Sequence, residues 1–151
     1  MKIAMFFSGR ISLFLHHHKY IKELIAFIKK NDIKCFCALN DMFEISEQFL
    51  EDFNVVKYKT YSFEANEHLP EKYVNELWNK YIISTYYAHK LNIELIEEYQ
   101  NQHNMTFDLI WYTRDDIVID YILPKTIDNN TLYVTDKNSK KYPSISSDWA
   151  F

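Results

Sequence analysis

Lys2-Ile3-Ala4-Met5-Phe6-Phe7-Ser8-Gly9-Arg10 opens the chain with an apolar run that does not alternate with polar residues. A strand buried on both faces, as in a parallel sheet, needs such a run. Ser8-Gly9-Arg10 then reads as a turn, and it holds the only glycine of the chain. Working outward, Ile21, Leu24, Ile25 and Ile28 recur at helical spacing while Lys22, Lys29 and Lys30 fall on other faces. That pattern predicts an amphipathic helix stopped at Asn31-Asp32. Residues 33–39 read as a second strand ending at Asn40-Asp41, and residues 44–53 as a short helix with Ile45, Phe49 and Phe53 on one stripe. Residues 55–58 make a third strand, and residues 61–70 look irregular.

The longest helical signal covers residues 70–103, with Leu77, Tyr81, Ser84, Ala88, Leu91 and Leu95 along one face. Its length exceeds that of most globular helices, which predicts a break near Leu91-Asn92. Residues 108–112 form a fourth strand, Asp-Leu-Ile-Trp-Tyr, followed by Thr113-Arg114-Asp115-Asp116. Residues 131–135 read as one more strand. Strands alternating with helices imply βαβ crossovers, hence a Rossmann-like α/β domain with a mixed, mostly parallel sheet flanked by helices. Ligands of open α/β sheets bind beyond the carboxyl ends of the strands. Ser8-Gly9-Arg10, Asn40-Asp41 and Arg114-Asp115-Asp116 all fall at such ends, so the fold gathers polar residues from distant parts of the chain.

Composition narrows the function. The 151 residues, 48% hydrophobic and 17% aromatic, suit one domain over residues 1–151 with a sizeable core. A formal charge of -4 and a pI near 5.8 argue against a double-stranded nucleic acid partner. Cys35 and Cys37 are too few for a disulfide scaffold or a four-ligand zinc site, and read as reduced thiols. No apolar stretch approaches the ~20 residues that span a bilayer, so no transmembrane segment is expected. A cytoplasmic location follows. The absence of G-x-G-x-x-G and of a P-loop counts against nicotinamide-dependent dehydrogenases and P-loop kinases.

Among chemical candidates, Asp115 and Asp116 can bind a hard divalent cation that bridges phosphate oxygens, with Asp116 on the metal and Asp115 on sugar or ribose hydroxyls. Arg114 can hold a phosphate or a carboxylate through paired hydrogen bonds. The competing reading is a plain acidic turn or helix cap. Gly9 allows close backbone approach by a ligand or by the following helix. His16-His17-His18 point in three directions on a helix and cannot share one ion. Trp78, Tyr81, Tyr86 and Tyr87 are an aromatic-rich stretch of the kind that usually packs in a core, and one ring can stack on a base or sugar. His89 and His103 suit surface or core-edge positions. Asp148, in a polar tail, has no distinguishing context of its own.

Three stretches carry a resemblance. Ile3-Ala4-Met5-Phe6-Phe7-Ser8-Gly9-Arg10, Phe107-Asp108-Leu109-Ile110-Trp111-Tyr112-Thr113-Arg114-Asp115-Asp116-Ile117 and Ser147-Asp148-Trp149-Ala150-Phe151 resemble segments of small GT-A-type glycosyltransferases of large DNA viruses and bacterial polysaccharide clusters. The resemblance implies transfer of a sugar from a nucleotide-diphosphate sugar to a glycan or other hydroxyl acceptor. It places manganese or magnesium on Asp116, with Asp115 beside it, and Arg114 near phosphate or the acidic pair. Ser8, Gly9 and Arg10 would lie beside the nucleotide. Asp148 would lie near the donor sugar or acceptor as a base or orienting group. For a viral chain the location would be the host cytoplasm. This sequence has Arg-Asp-Asp where a strict Asp-x-Asp is common, and it stops where the family continues. A minimal or truncated domain is therefore expected, and a catalytically silent nucleotide-sugar-binding or protein-interaction module of the same fold is the alternative.

Overall fold

The computed structural model describes residues 1–8, 18–40, 45–62 and 77–114. The elements run β1 (Ile3–Ser8), α1 (His18–Lys30), β2 (Lys34–Asn40), α2 (Glu47–Asp52), β3 (Val55–Tyr61), α3 (Leu77–His103) and β4 (Leu109–Arg114). Four strands form one sheet in the order β3-β2-β1-β4, and every neighbouring pair is parallel. The domain is thus α/β, with an all-parallel sheet among the described residues.

The apolar run at the start of the chain becomes a strand covered on both sides. Ile3, Met5 and Phe7 pack with Leu24 and Ile28 of α1, and Phe53 beside α2 joins them. Ala4 and Phe6 pack on the opposite face with Leu95 and Ile96 of α3. Successive strand residues point to opposite faces, so a strand between two helical layers has no position for a polar side chain. The crossovers through α1 and α2 carry the chain from β1 to β2 to β3. The third crossover returns past β1 to β4, and α3 lies on the other face. Right-handed crossovers require this change of face when the direction of winding reverses.

Each described helix is followed by a residue with positive φ: Asp32 at 48°, Asn54 at 49° and Asn104 at 46°. After α1, the Ile33 N–H donates to the Ile28 carbonyl at 3.0 Å and the Asp32 N–H to that of Lys29 at 3.4 Å. The same pair of bonds recurs after α3, from Met105 to Gln100 and from Asn104 to Asn101. These are Schellman closures with Asp or Asn in the place usually taken by glycine. α2 begins at Ser46, whose Oγ accepts the Phe49 N–H at 3.2 Å. This cap makes the helix shorter than residues 44–53, although Ile45, Phe49 and Phe53 do share the core.

Further differences concern boundaries. β3 continues through Tyr61 because β2 offers partners up to Asn40. β4 continues to Arg114 because β1 pairs with it up to Ser8. The helix does not break at Leu91-Asn92; α3 is continuous from Leu77 to His103. Asn92 is buried against the sheet, where tertiary contacts override the low helix propensity of asparagine. Cys35 and Cys37 are free thiols, fully buried on the α1 side of β2. Residues 63–70 and the strand expected at 131–135 lie outside the described residues. No helix among the described residues is long and apolar enough to cross a membrane.

Candidate functional site

The strand order reverses between β1 and β4. The carboxyl ends of β1 and β4 meet at that reversal, which is where open α/β sheets hold their ligands. Ser8 and Arg114, the last residues of these strands, are register partners. Two residues 106 positions apart in sequence are thereby neighbours at the switch point. Asn40 ends β2, half-buried and in register with Tyr61 of β3. Three of the residues singled out by sequence therefore end strands along one edge of the sheet. Gly9, Arg10, Asp115, Asp116 and Asp148 lie outside the described residues, as do Asp41, His16 and His17.

α3 forms one wall of this edge. It runs antiparallel to the strands, and its residue Asn92 is level with Phe7. The segment before Asn92 amounts to roughly four turns, about 22 Å, so α3 reaches well past the carboxyl end of β1. The Tyr61 ring meets Tyr87 edge-on at 5.4 Å, which ties the end of β3 to the helix. Burial pushes the Tyr61 phenol up from its ordinary value, against the opposing effect of its hydrogen bond with Ser84.

Just below the switch point, His89 of α3 lies across both strands. Its ring is 4.3 Å from that of Tyr112 on β4 and 5.6 Å from that of Phe6 on β1. Phe6 and Tyr112 stack at 5.2 Å, and Tyr86, 37% exposed, meets His89 at 6.3 Å. His89 thus holds the core-edge position expected of it, and it bridges the two strands that meet at the switch point. Tyr86 and Tyr87 sit near the edge, while the side chains of Trp78 and Tyr81 lie outside the described residues.

The sequence reading missed Asn92 as a site residue. Its side chain is fully buried, and its Nδ2 donates to the carbonyl of Phe7 at 3.1 Å and to that of Ala88 at 3.0 Å. The signal was present: an asparagine spaced four residues from both Ala88 and Ile96 interrupts an apolar stripe with a polar group. The cysteines carry no chemistry here. Burial raises both thiols well above their ordinary range, with the neighbouring Cys37 adding to the effect at Cys35. Thiols held neutral in this way are poor nucleophiles and poor metal ligands. No cluster of three His, Cys, Asp or Glu side chains suited to a metal occurs among the described residues. The expected metal residues Asp115 and Asp116 immediately follow the last described residue of β4.

The described residues thus form a parallel α/β sheet in which the ends of β1 and β4 lie side by side at the reversal of strand order. Comparison with protein-family models, curated proteins and solved structures gives no significant match.

Proposed function

We propose that the chain is a metal-dependent glycosyltransferase domain of the GT-A type, with its nucleotide-sugar donor seated across the carboxyl ends of β1 and β4. The observation that supports this most is the pairing of Ser8 with Arg114 at the strand-order reversal. A nucleotide diphosphate laid over that point meets the Ser8-Gly9-Arg10 segment on one side and the Arg114-Asp115-Asp116 segment on the other. The assignment of sugar transfer, rather than nucleotide binding alone, rests on the resemblance of these two segments and of Ser147-Asp148-Trp149-Ala150-Phe151 to that class of transferases.

In this reading Arg114 binds the diphosphate through charge-assisted hydrogen bonds, and Ser8, Gly9, Arg10 and Asn40 hold the nucleoside. Asp116, with Asp115 beside it, would hold manganese or magnesium, which supplies positive charge to the departing diphosphate. Asp148 orients the acceptor hydroxyl or removes its proton.

Calorimetric titration with a panel of nucleotide sugars, with and without manganese, tests the proposal on the wild type, Asp116→Ala and Arg114→Ala. The expected result is metal-dependent binding of one donor, lost in Asp116→Ala and weakened at least tenfold in Arg114→Ala. Binding without turnover on any hydroxyl acceptor would assign a silent binding module instead. A folded protein that binds no donor would overturn the reading.

A further inference from the structure

Among the described residues, Asn92 is the one buried polar side chain, 0% exposed in the middle of the apolar face of α3. Its neighbours one turn away on that face, Ala88 and Ile96, are buried as well. Its Nδ2 is bound to two carbonyl oxygens, those of Phe7 and Ala88. Two acceptors fix the orientation of the amide, because an oxygen in the place of Nδ2 would face both. Oδ1 is then directed elsewhere, and it accepts no hydrogen bond among the described residues. A leucine of similar size would fill the same stripe without burying an acceptor that has no protein donor among the described residues, which is a costly arrangement. What asparagine adds is a bond to Phe7, the residue just before Ser8 and hence just before the switch point.

We infer that Asn92 is a positioning residue of the ligand edge. Its amide fixes the Phe7 carbonyl and with it the exit of β1. That this exit bears on a ligand rests on the donor-binding reading above; the bond to Phe7 does not.

The experiment compares the full-length wild type with Asn92→Leu and Asn92→Asp by thermal melting, amide hydrogen exchange and calorimetry with uridine and guanosine diphosphate sugars. Leucine removes the donor and the unpaired acceptor together. The expected result is a melting temperature equal to or above that of the wild type, with faster exchange at residues 8–10 and affinity lower by about five- to tenfold, the range of one neutral hydrogen bond. Higher stability with a looser edge is the signature of a group retained for function. A purely structural asparagine would instead lower the melting temperature and leave exchange at residues 8–10 and affinity unchanged, which overturns the inference.

Asn92→Asp provides a second arm should the leucine variant not fold. A buried carboxyl facing two carbonyl oxygens has a raised pKa, so its protonated form donates to Phe7 at acidic pH and its ionised form is repelled as pH rises. Edge protection in this variant is therefore present at low pH and lost toward high pH, while the wild type shows no such dependence. Protection that does not vary with pH would count against the inference. If the wild type binds no nucleotide sugar, the donor reading fails, and exchange in the ligand-free protein still decides whether Asn92 holds the exit of β1.

Discussion

In a chain with a single glycine, the three described helices still have to stop, and Asp32, Asn54 and Asn104 take the left-handed conformation that stops them. Short polar side chains tolerate that region where a Cβ followed by apolar bulk does not. Asn104→Ala is accordingly expected to cost about 1 kcal/mol and Asn104→Gly little or nothing, a contrast that chemical denaturation measures. Asn54 is a different case, since its Nδ2 also donates to the Ile33 carbonyl at 2.7 Å, so even glycine there would lose a bond. Cys35 and Cys37 allow a second test. Buried and neutral, they should resist an aromatic disulfide reagent at pH 8 in the native protein and react in denaturant; fast native labelling would contradict their place in the core. At this scale the helix stop at Asn31-Asp32 was legible because turn residues act locally. Asn92 was misread as a helix break for the same reason: its local preference is to leave a helix, and only the distant Phe7 carbonyl explains why it stays.

Elements depend on partners that local pattern does not reveal, and β3 and β4 show this. The sequence ended each strand where apolar residues ran out, yet pairing with β2 and β1 carries them on to Tyr61 and Arg114. Among the described residues, α3 is held to the sheet by apolar contacts, by the hydrogen bonds of Asn92 with Phe7 and of Tyr61 with Ser84, and by an ion pair. Phe36, fully buried in β2, meets the rings of Tyr99 at 5.5 Å and Phe107 at 5.9 Å nearly perpendicularly. Phe36→Ala should cost about 4 kcal/mol, as the emptied volume lies between layers that cannot collapse freely. The ion pair joins Lys57 of β3 to Glu98 of α3 at 2.5 Å. The hydrogen bond from Lys57, and then its charge, hold the Glu98 carboxyl below the usual range. A carboxylate whose folded-state pKa is depressed adds stability above its unfolded pKa, and this is lost as pH falls through the folded value. Glu98→Gln should therefore make the acid limb of the stability curve shallower. The Glu98 side chain is 58% exposed, so the difference should vanish in ~1 M salt. A difference that persists at high salt would show that the pair acts through packing rather than charge.

For the whole molecule, strand composition explains sheet order after the fact. In the described sheet, β1 and β2 are continuous apolar runs and take the centre, whereas β3 carries Lys57 and the exposed Lys59 and borders it, as charged edge strands do. β4 borders the described sheet on the other side, where Ile110 is 44% exposed. Alternation of strands and helices announced the parallel sheet, but not the reversal that makes Ser8 and Arg114 neighbours, because the direction of a crossover is set by the packing of whole layers. That reversal leads to a measurement of the intact protein. A ligand that binds only the folded chain stabilises it by mass action, about 2.7 kcal/mol at a hundredfold excess over Kd. For a domain of this size that amounts to a melting shift of roughly 5–10 °C. The donor identified by calorimetry, with manganese, should produce this shift in the wild type and in Lys59→Ala, which changes the β3 edge. Arg114→Ala should reduce it strongly and Asp116→Ala abolish it. An equal shift in all four proteins would put the ligand away from the β1–β4 boundary and break the link between strand order and function.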